Sequence, residues 1–286
     1  MKKIFSMLIA ALAAIIGIAT QFIPERSSDK QAPQETAIAQ ERPDNGTKSE
    51  STNRPANDRT SKTQSEELAC PIYETSRGGQ RISRVGYTLS YDADYKTPQW
   101  VGWTLTAEKA EGTVPREKNF YPDPDVRGAK AYPKDYTNSG YDRGHMAPAG
   151  DMKWSHQAML ESFYLSNVCP QNKNLNRGDW KELEELERQW ALSEGTVSIT
   201  AGPIYSKKNP LRIGANKVAV PDGFFKVILV NYPDAPKAYG FIFRNEAGSH
   251  PLSHYQLSVN EVERRTGMDF FPGLSEEIEE RVPELF

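Results

Sequence analysis

Apolar and polar residues alternate along two neighbouring stretches, SRVGYTLSYD from Ser83 to Asp92 and TPQWVGWTLTAEK from Thr97 to Lys109. Both are rich in Tyr, Trp, Thr and Val, which predicts two strands joined by a polar turn. TVSITAGPIY, NKVAVPDGFFKVILVNY and AYGFIFRN, between Thr196 and Asn245, predict three or four more. A helical period governs NRGDWKELEELERQWALSEG. There Leu183, Leu186 and Trp190 form a buried stripe, while Trp180, Glu184 and Arg188 step along a second side. Asn176 is placed to cap this helix and Gly195 to end it. Ser155 caps a shorter helix in SHQAMLESFYL, YLSNVCP reads as extended, and Ser258 with Glu261 forms a capping box for VNEVERRTG. Pro, Gly and Asp punctuate Glu111 to Gly140, which reads as a long loop of the kind that is usually functional or mobile. Strands and helices mix without regular βαβ alternation, which predicts an α+β fold with a largely antiparallel sheet.

The ends of the chain follow other patterns. Lys2 and Lys3 precede an apolar run from Ile4 to Ile23, broken by Ser6, Gly17, Thr20 and Gln21. Residues 1–26 therefore read as an export segment, either a signal peptide cleaved near Gly17-Ile18-Ala19 or an uncleaved membrane anchor. In both cases the basic head stays inside and the rest of the chain is exported: secreted, periplasmic, or anchored outside the cytoplasm. Residues 27–69 are polar and rich in Ser, Thr, Asn, Gln and Pro, and too poor in apolar surface to offset chain entropy. That stretch reads as a disordered linker, leaving residues 70–286 as one compact domain.

Net charge is −3, which gives no overall cationic field and counts against tight non-specific capture of nucleic acid by the whole molecule. Much of the acid is terminal, as in SEEIEERVPEL, while Lys153, Lys173, Arg177, Lys207, Lys208, Arg212 and Lys217 lie mid-domain and leave room for a local basic face. The two cysteines, Cys70 and Cys169, lack CxxC spacing and are too few for a cysteine-based metal site. Outside the cytoplasm they could form a disulfide closing a loop of roughly 100 residues, worth up to about 4–5 kcal/mol in the chain-entropy model. Two separate buried thiols are the alternative.

Candidate chemistry concentrates in two places. In YDRGHMAPAGDM, from Tyr141 to Met152, His145 stands beside Asp142 and Arg143 in a charged, glycine-broken turn. A neutral imidazole suits proton abstraction near neutral pH, Asp142 or a turn carbonyl could fix its tautomer, and Arg143 could meet an anion. Alone, the cluster fits an ordinary polar turn equally well. In LSNVCPQNKNLNRGDWKELEELERQW, Asn167, Asn172, Asn174 and Asn176 crowd together before the long helix. A simple helix cap explains Asn176, and an exposed i,i+4 pair explains Glu184 with Arg188. An amide oxygen with a carboxylate two turns on also suits a hard divalent cation such as Mg²⁺.

Taken jointly, YDRGHMAPAGDM, FYLSNVCPQNKNLNRGDWKELE, TAGPIY and VAVPDGFFKVIL, in this order and spacing, resemble the DNA/RNA non-specific endonuclease family of ββα-metal nucleases. The resemblance runs from about Ser83 to Ile228 and implies that fold, with metal-dependent hydrolysis of DNA and RNA and little sequence preference. It implies that His145 is the general base, Asn176 the protein ligand of an otherwise hydrated Mg²⁺, and Glu184 the carboxylate ordering a water of the metal's shell. It places Arg143, Arg188 and Asn167 around the scissile phosphate, makes Arg116 in PREKNFYPDP a candidate for another phosphate contact, and leaves Asp142 as scaffolding. Mn²⁺ is a candidate substitute for Mg²⁺. Members of the family are often dimers, so a homodimer is an implied partner state alongside the DNA and RNA substrates.

Three rival readings stand beside this one. The first is an exported nucleic-acid-binding module for DNA capture without catalysis, although a pure binder has no need of His145, Asn176 and Glu184 together. The second is a toxin effector with a cognate inhibitor protein. The third is a structural α+β domain.

Overall fold

The computed structural model describes residues 67–73 and 78–285. The apolar N-terminal run and nearly all of the polar linker lie outside the described residues. A seven-stranded antiparallel sheet organises the remainder, in the order β1 (Gln80–Ser83), β2 (Thr88–Asp92), β3 (Thr97–Leu105), β6 (Val197–Ile204), β9 (Gly223–Val230), β10 (Lys237–Arg244) and β11 (Gln256–Leu257). Its central strands carry long apolar runs because helices cover both faces. Every residue of β3 and of β9 is buried.

Alternation along β9 divides the core in two. Phe224, Ile228 and Val230 face the long helix, here α4 (Asp179–Glu194), and its neighbours Trp103, Leu183 and Trp190. Phe225, Val227 and Leu229 face α5 (Val259–Thr266) and the Phe270–Phe271 segment. The helical period read in α4 is real, but its stripe is wider than predicted. Trp180 is buried at 1% exposure between Phe224 and Phe243, with ring centroids at 5.6 and 5.5 Å. It therefore belongs to the core, and its truncation to Ala would cost about 3–5 kcal/mol. Gly195, at φ 97°, ends the helix as expected, because only glycine takes that conformation without strain.

The start of α4 departs from expectation. Asn176 does not cap it, because a separate turn, α3 (Lys173–Arg177), intervenes and Asn176 lies within it. Asn172 caps α3, accepting from the amides of Asn174 and Leu175 at 2.9 and 3.4 Å. Helix α4 then begins at Gly178 with no side-chain cap, Asp179 and Glu182 supplying negative charge to its first turn. The box at α5 is also only half formed. Ser258 accepts from the Glu261 amide, but the Glu261 carboxylate turns outward to Arg264 and Arg265. Ser155 caps α2 (His156–Ser162) as read.

Apart from the main sheet, β4 (Asp142–His145) pairs antiparallel with β5 (Val168–Gln171), setting His145 opposite Val168 and Asp142 opposite Gln171. The sequence reading of Asp142–His145 as a tight turn is thus corrected: it is a strand. Gly144 is needed there because a Cβ would lie 2.6 Å from Gln171 Cβ on the facing strand. Cys169, in β5, is completely buried and not bonded to Cys70, so the disulfide alternative does not hold and burial pushes its thiol pKa well up.

The long loop is irregular, as expected, apart from one 3₁₀ turn at Pro133–Tyr136, and it is firmly stitched down. Arg84 pairs with Asp123 and Asp125, Lys130 Nζ donates to the Asp123 carbonyl at 2.8 Å, and Asn216 donates to Asp135. The same loop lays Phe120 against His145 and Arg143 of β4 and Arg116 on Phe163.

Candidate active site

His145 closes β4 at 8% exposure, with Phe163 edge-on at 4.9 Å and Phe120 at 5.1 Å between ring centroids. This aromatic pocket withholds solvent, and the nearby Arg116 guanidinium adds like-charge repulsion, so the imidazole pKa falls to about 3. The ring therefore stays neutral at any physiological pH. Nε2 is buried without a hydrogen-bond partner, and Asp142 is engaged with Asn176 and Arg177 rather than with the imidazole as the sequence reading allowed. The packed rings set the orientation instead.

Asp142 acts on Asn176. Its carboxylate accepts from Asn176 Nδ2 at 3.1 Å and from Arg177 Nε and Nη2 at 2.8 and 2.9 Å. These contacts hold its pKa below the usual carboxylate range despite partial burial. Because Nδ2 donates to Asp142, the carbonyl end of the amide points elsewhere and is available as a hard oxygen donor. Strand β4 thus carries His145 at one end and the anchor of Asn176 at the other.

Glu184 and Arg188 lie half-buried at the margin of the core stripe. Arg188 does not form the expected pair with Glu184. Its Nη1 donates to Asp151 Oδ1 at 2.9 Å, and Asp151 also accepts from Trp103 Nε1 at 2.9 Å. Gly150 makes room for that guanidinium, since a Cβ there would lie 2.8 Å from Nη1. Desolvation raises Glu184 to about 7, moderated by Lys226 and Arg188 and reinforced by Asp151. Arg116 lies on Phe163 at 5.0 Å, the ring that also packs on His145, and its charge acts on both His145 and Glu184.

The remaining sequence candidates fare differently. Arg143 is half-buried between the rings of Phe120 and Tyr136, at 5.4 and 5.8 Å, and donates Nη2 to the Pro133 carbonyl at 2.8 Å. Asn167 is fully buried with its amide spent on backbone, accepting from the Ala147 amide and donating to the Ala147 and Ser162 carbonyls, each at 2.9 Å. It therefore clamps the chain leaving His145, with both amide hydrogens spent on backbone carbonyls. Phe120, Phe163, Asp151, Arg177, Glu187 and Lys226 were missed. Only Lys226 carried a visible signal, as a lone charge in the apolar run GFFKVILV.

A dication fits this cleft by its donor set. The Asn176 amide is held through Nδ2, which leaves its carbonyl oxygen as a hard donor, and Glu184 is a desolvated carboxyl whose charge a dication would favour. Among the described residues no group of three His, Cys, Asp or Glu forms an alternative cluster.

Comparison with known proteins identifies the family and the fold. Residues 64–277 match the family model described as DNA/RNA non-specific endonuclease. The chain belongs to that family. It is 38% identical to the mitochondrial nuclease EXOG of Danio rerio over 216 residues, covering 70% of this chain and 63% of that protein. Nuclease C1 of Cunninghamella echinulata var. echinulata is 35% identical over 209 residues, covering 68% of this chain and 83% of that protein. The fold is also that of EndoG as solved in the EndoG/EndoGI complex, with a TM-score of 0.68 at 32% identity over 75% of this chain and 93% of that one. The chain thus spans less than two thirds of the EXOG relative's length.

Proposed function

We propose that this chain is a metal-dependent endonuclease that hydrolyses phosphodiesters of both DNA and RNA with little sequence preference. The observation that carries the proposal is His145, buried between Phe120 and Phe163 at the end of the strand whose other end, Asp142, holds the Asn176 amide through Nδ2 and leaves its carbonyl oxygen without a protein partner among the described residues. A dication at Asn176, Mg²⁺ or Mn²⁺, would supply Lewis acidity to the phosphate and its leaving oxygen.

The side chains do the rest. His145 accepts the proton of a water that attacks phosphorus in line. With Nε2 sealed, Nδ1 is the nitrogen left to meet that water. An imidazole with so low a pKa is always available but weakly basic. Burial is the main cause of that low pKa, and a phosphate paired with Arg116 would relieve the smaller part that comes from the guanidinium. Arg188, steadied by Asp151, keeps its remaining donors for charge developing on phosphorus. The 3′ oxygen leaves and takes a proton from solvent, giving 5′-phosphate and 3′-hydroxyl ends. No ribose hydroxyl takes part, and contacts directed at the backbone leave the bases unread.

The lysine-led apolar run supports export of residues 70–286 beyond the cytoplasmic membrane, although EXOG and endonuclease G are named as mitochondrial. N-terminal sequencing of the native protein separates a cleaved signal from an anchor. EndoG has been solved in a complex with EndoGI that is described as explaining its inhibition, and a protein inhibitor is a candidate partner here. The test of function is cleavage of supercoiled plasmid and of RNA by the full chain, with and without chelator. A chain that binds both substrates but cuts neither in Mg²⁺ is a binding module instead.

A further inference from the structure

The turn that carries Asn176 is gripped from the main sheet by a residue far along the chain. Helix α3 spans only Lys173–Arg177, too short to hold itself in water, so its orientation is set by what it is bonded to. Asp142 fixes one side of it through the Asn176 side chain. The other anchor is Asn245, the first residue after β10. Its Oδ1 accepts from the Asn172 amide at 2.7 Å, and the Asn172 carbonyl in turn accepts from the Asn176 amide at 2.9 Å. A relay of two hydrogen bonds thus runs from Asn245 to the backbone of Asn176. Asn172 also caps α3 with its own side chain, so the residue that Asn245 grips is the one that starts the turn.

Asn245 is itself tightly held. Its Nδ2 donates to the Pro170 carbonyl of β5 at 3.0 Å and to the Pro221 carbonyl at 2.9 Å. Its backbone amide donates to the Asp222 carbonyl at 2.9 Å. The side chain therefore spends both of its donors and an acceptor position on backbone groups of three segments. Pro170 and Asn172 are two apart along an extended stretch and turn peptide groups to the same edge. The Asn245 amide takes the place there of a neighbouring strand's peptide group. Pro221 and Asp222 lead directly into β9, so one side chain fastens the end of the β4–β5 ribbon and the start of α3 to the main sheet.

We propose that Asn245 is a positioning residue of the active site: by gripping Asn172 it fixes the backbone from which the Asn176 side chain projects. It touches neither substrate nor metal. The inference rests on the nuclease reading, but its first readout needs neither metal nor activity.

Amide hydrogen exchange is measured by NMR on full-length wild type and Asn245→Ala without metal. The amides of Asn174, Leu175 and Asn176 should exchange tenfold or more faster in the variant. Those of β9 should change only as far as the variant's global stability does. In plasmid cleavage, Asn245→Ala should raise the Mg²⁺ concentration for half-maximal rate by about tenfold and lower kcat, with little change in KM for DNA. In an Asn176→Ala background the same substitution should cost no further activity, because its effect passes through Asn176. Asn245→Asp keeps the side-chain shape but sets a carboxylate against the Pro170 and Pro221 carbonyls, and carries the same comparisons should Asn245→Ala fail to fold. If exchange in α3 stays at the wild-type rate, or rises only in step with β9, Asn245 is merely structural and the inference is wrong. Losses of activity that add in full to those of Asn176→Ala overturn it equally. A wild-type chain without nuclease activity defeats the functional reading, whereas unchanged protection of Asn176 in an active enzyme defeats only this inference.

Discussion

The neutrality of His145 has a consequence for stability that can be measured without any substrate. Replacing it with Gln removes the titrating group while keeping a polar side chain in the pocket. In the folded protein the imidazole pKa is about 3, against 6.5 for an unperturbed histidine. Between these values the unfolded chain binds a proton that the folded chain refuses, so wild-type stability falls as pH drops below 6.5 and levels off near 3. The slope is about 1.4 kcal/mol per pH unit, hence about 2 kcal/mol lost from this one group by roughly pH 5. Urea unfolding of both proteins in chelator, at several pH values from about 7 to 5, isolates the term as a difference. The wild-type advantage over His145→Gln should shrink by about 2 kcal/mol on acidification. A difference that stays constant with pH would mean that His145 titrates normally, and the aromatic pocket would then not explain a permanently neutral base.

Other outcomes follow from the same geometry. Asn176→Ala should lower kcat and raise the Mg²⁺ concentration needed for half-maximal rate, whereas an unchanged Mg²⁺ optimum would return Asn176 to a structural role. Asn167→Ala strips partners from the Ala147 amide and from the Ala147 and Ser162 carbonyls, and should cost about 2–4 kcal/mol in denaturant unfolding. Glu184, raised to about 7, contributes stability that is present below its ordinary 4.5 and lost as pH rises through 7. Mg²⁺ should therefore raise the melting temperature more at about pH 8 than at about pH 5, and equal gains would contradict a role for Glu184 beside the metal.

Most of the scaffold was legible in the sequence because its signals are local. The period of α4, the apolar run of β9 and the Ser155 cap all follow from neighbouring residues. What misled were short elements governed by distant partners. Asp142–His145 has the composition of a turn, and becomes a strand because β5 lies beside it. Asn176 looked like a cap because Asn172, the true cap, precedes a turn too short to show a period. The proposed His145–Asn176–Glu184 set rests on the family pattern, and the structure adds what each of these residues packs against. Asp142 orients Asn176, Phe120 and Phe163 desolvate His145, and Asp151 takes Arg188 from Glu184. None of those pairings is encoded by spacing along the chain.

The most direct test is to incubate full-length wild type and His145→Ala with supercoiled plasmid and with RNA, in Mg²⁺ and in chelator, checking the variant's fold by circular dichroism. The expected result is degradation of both substrates by wild type, abolished by chelator and slowed by orders of magnitude in the folded variant. Cleavage by His145→Ala at the wild-type rate would contradict the assignment of the base and the mechanism built on it.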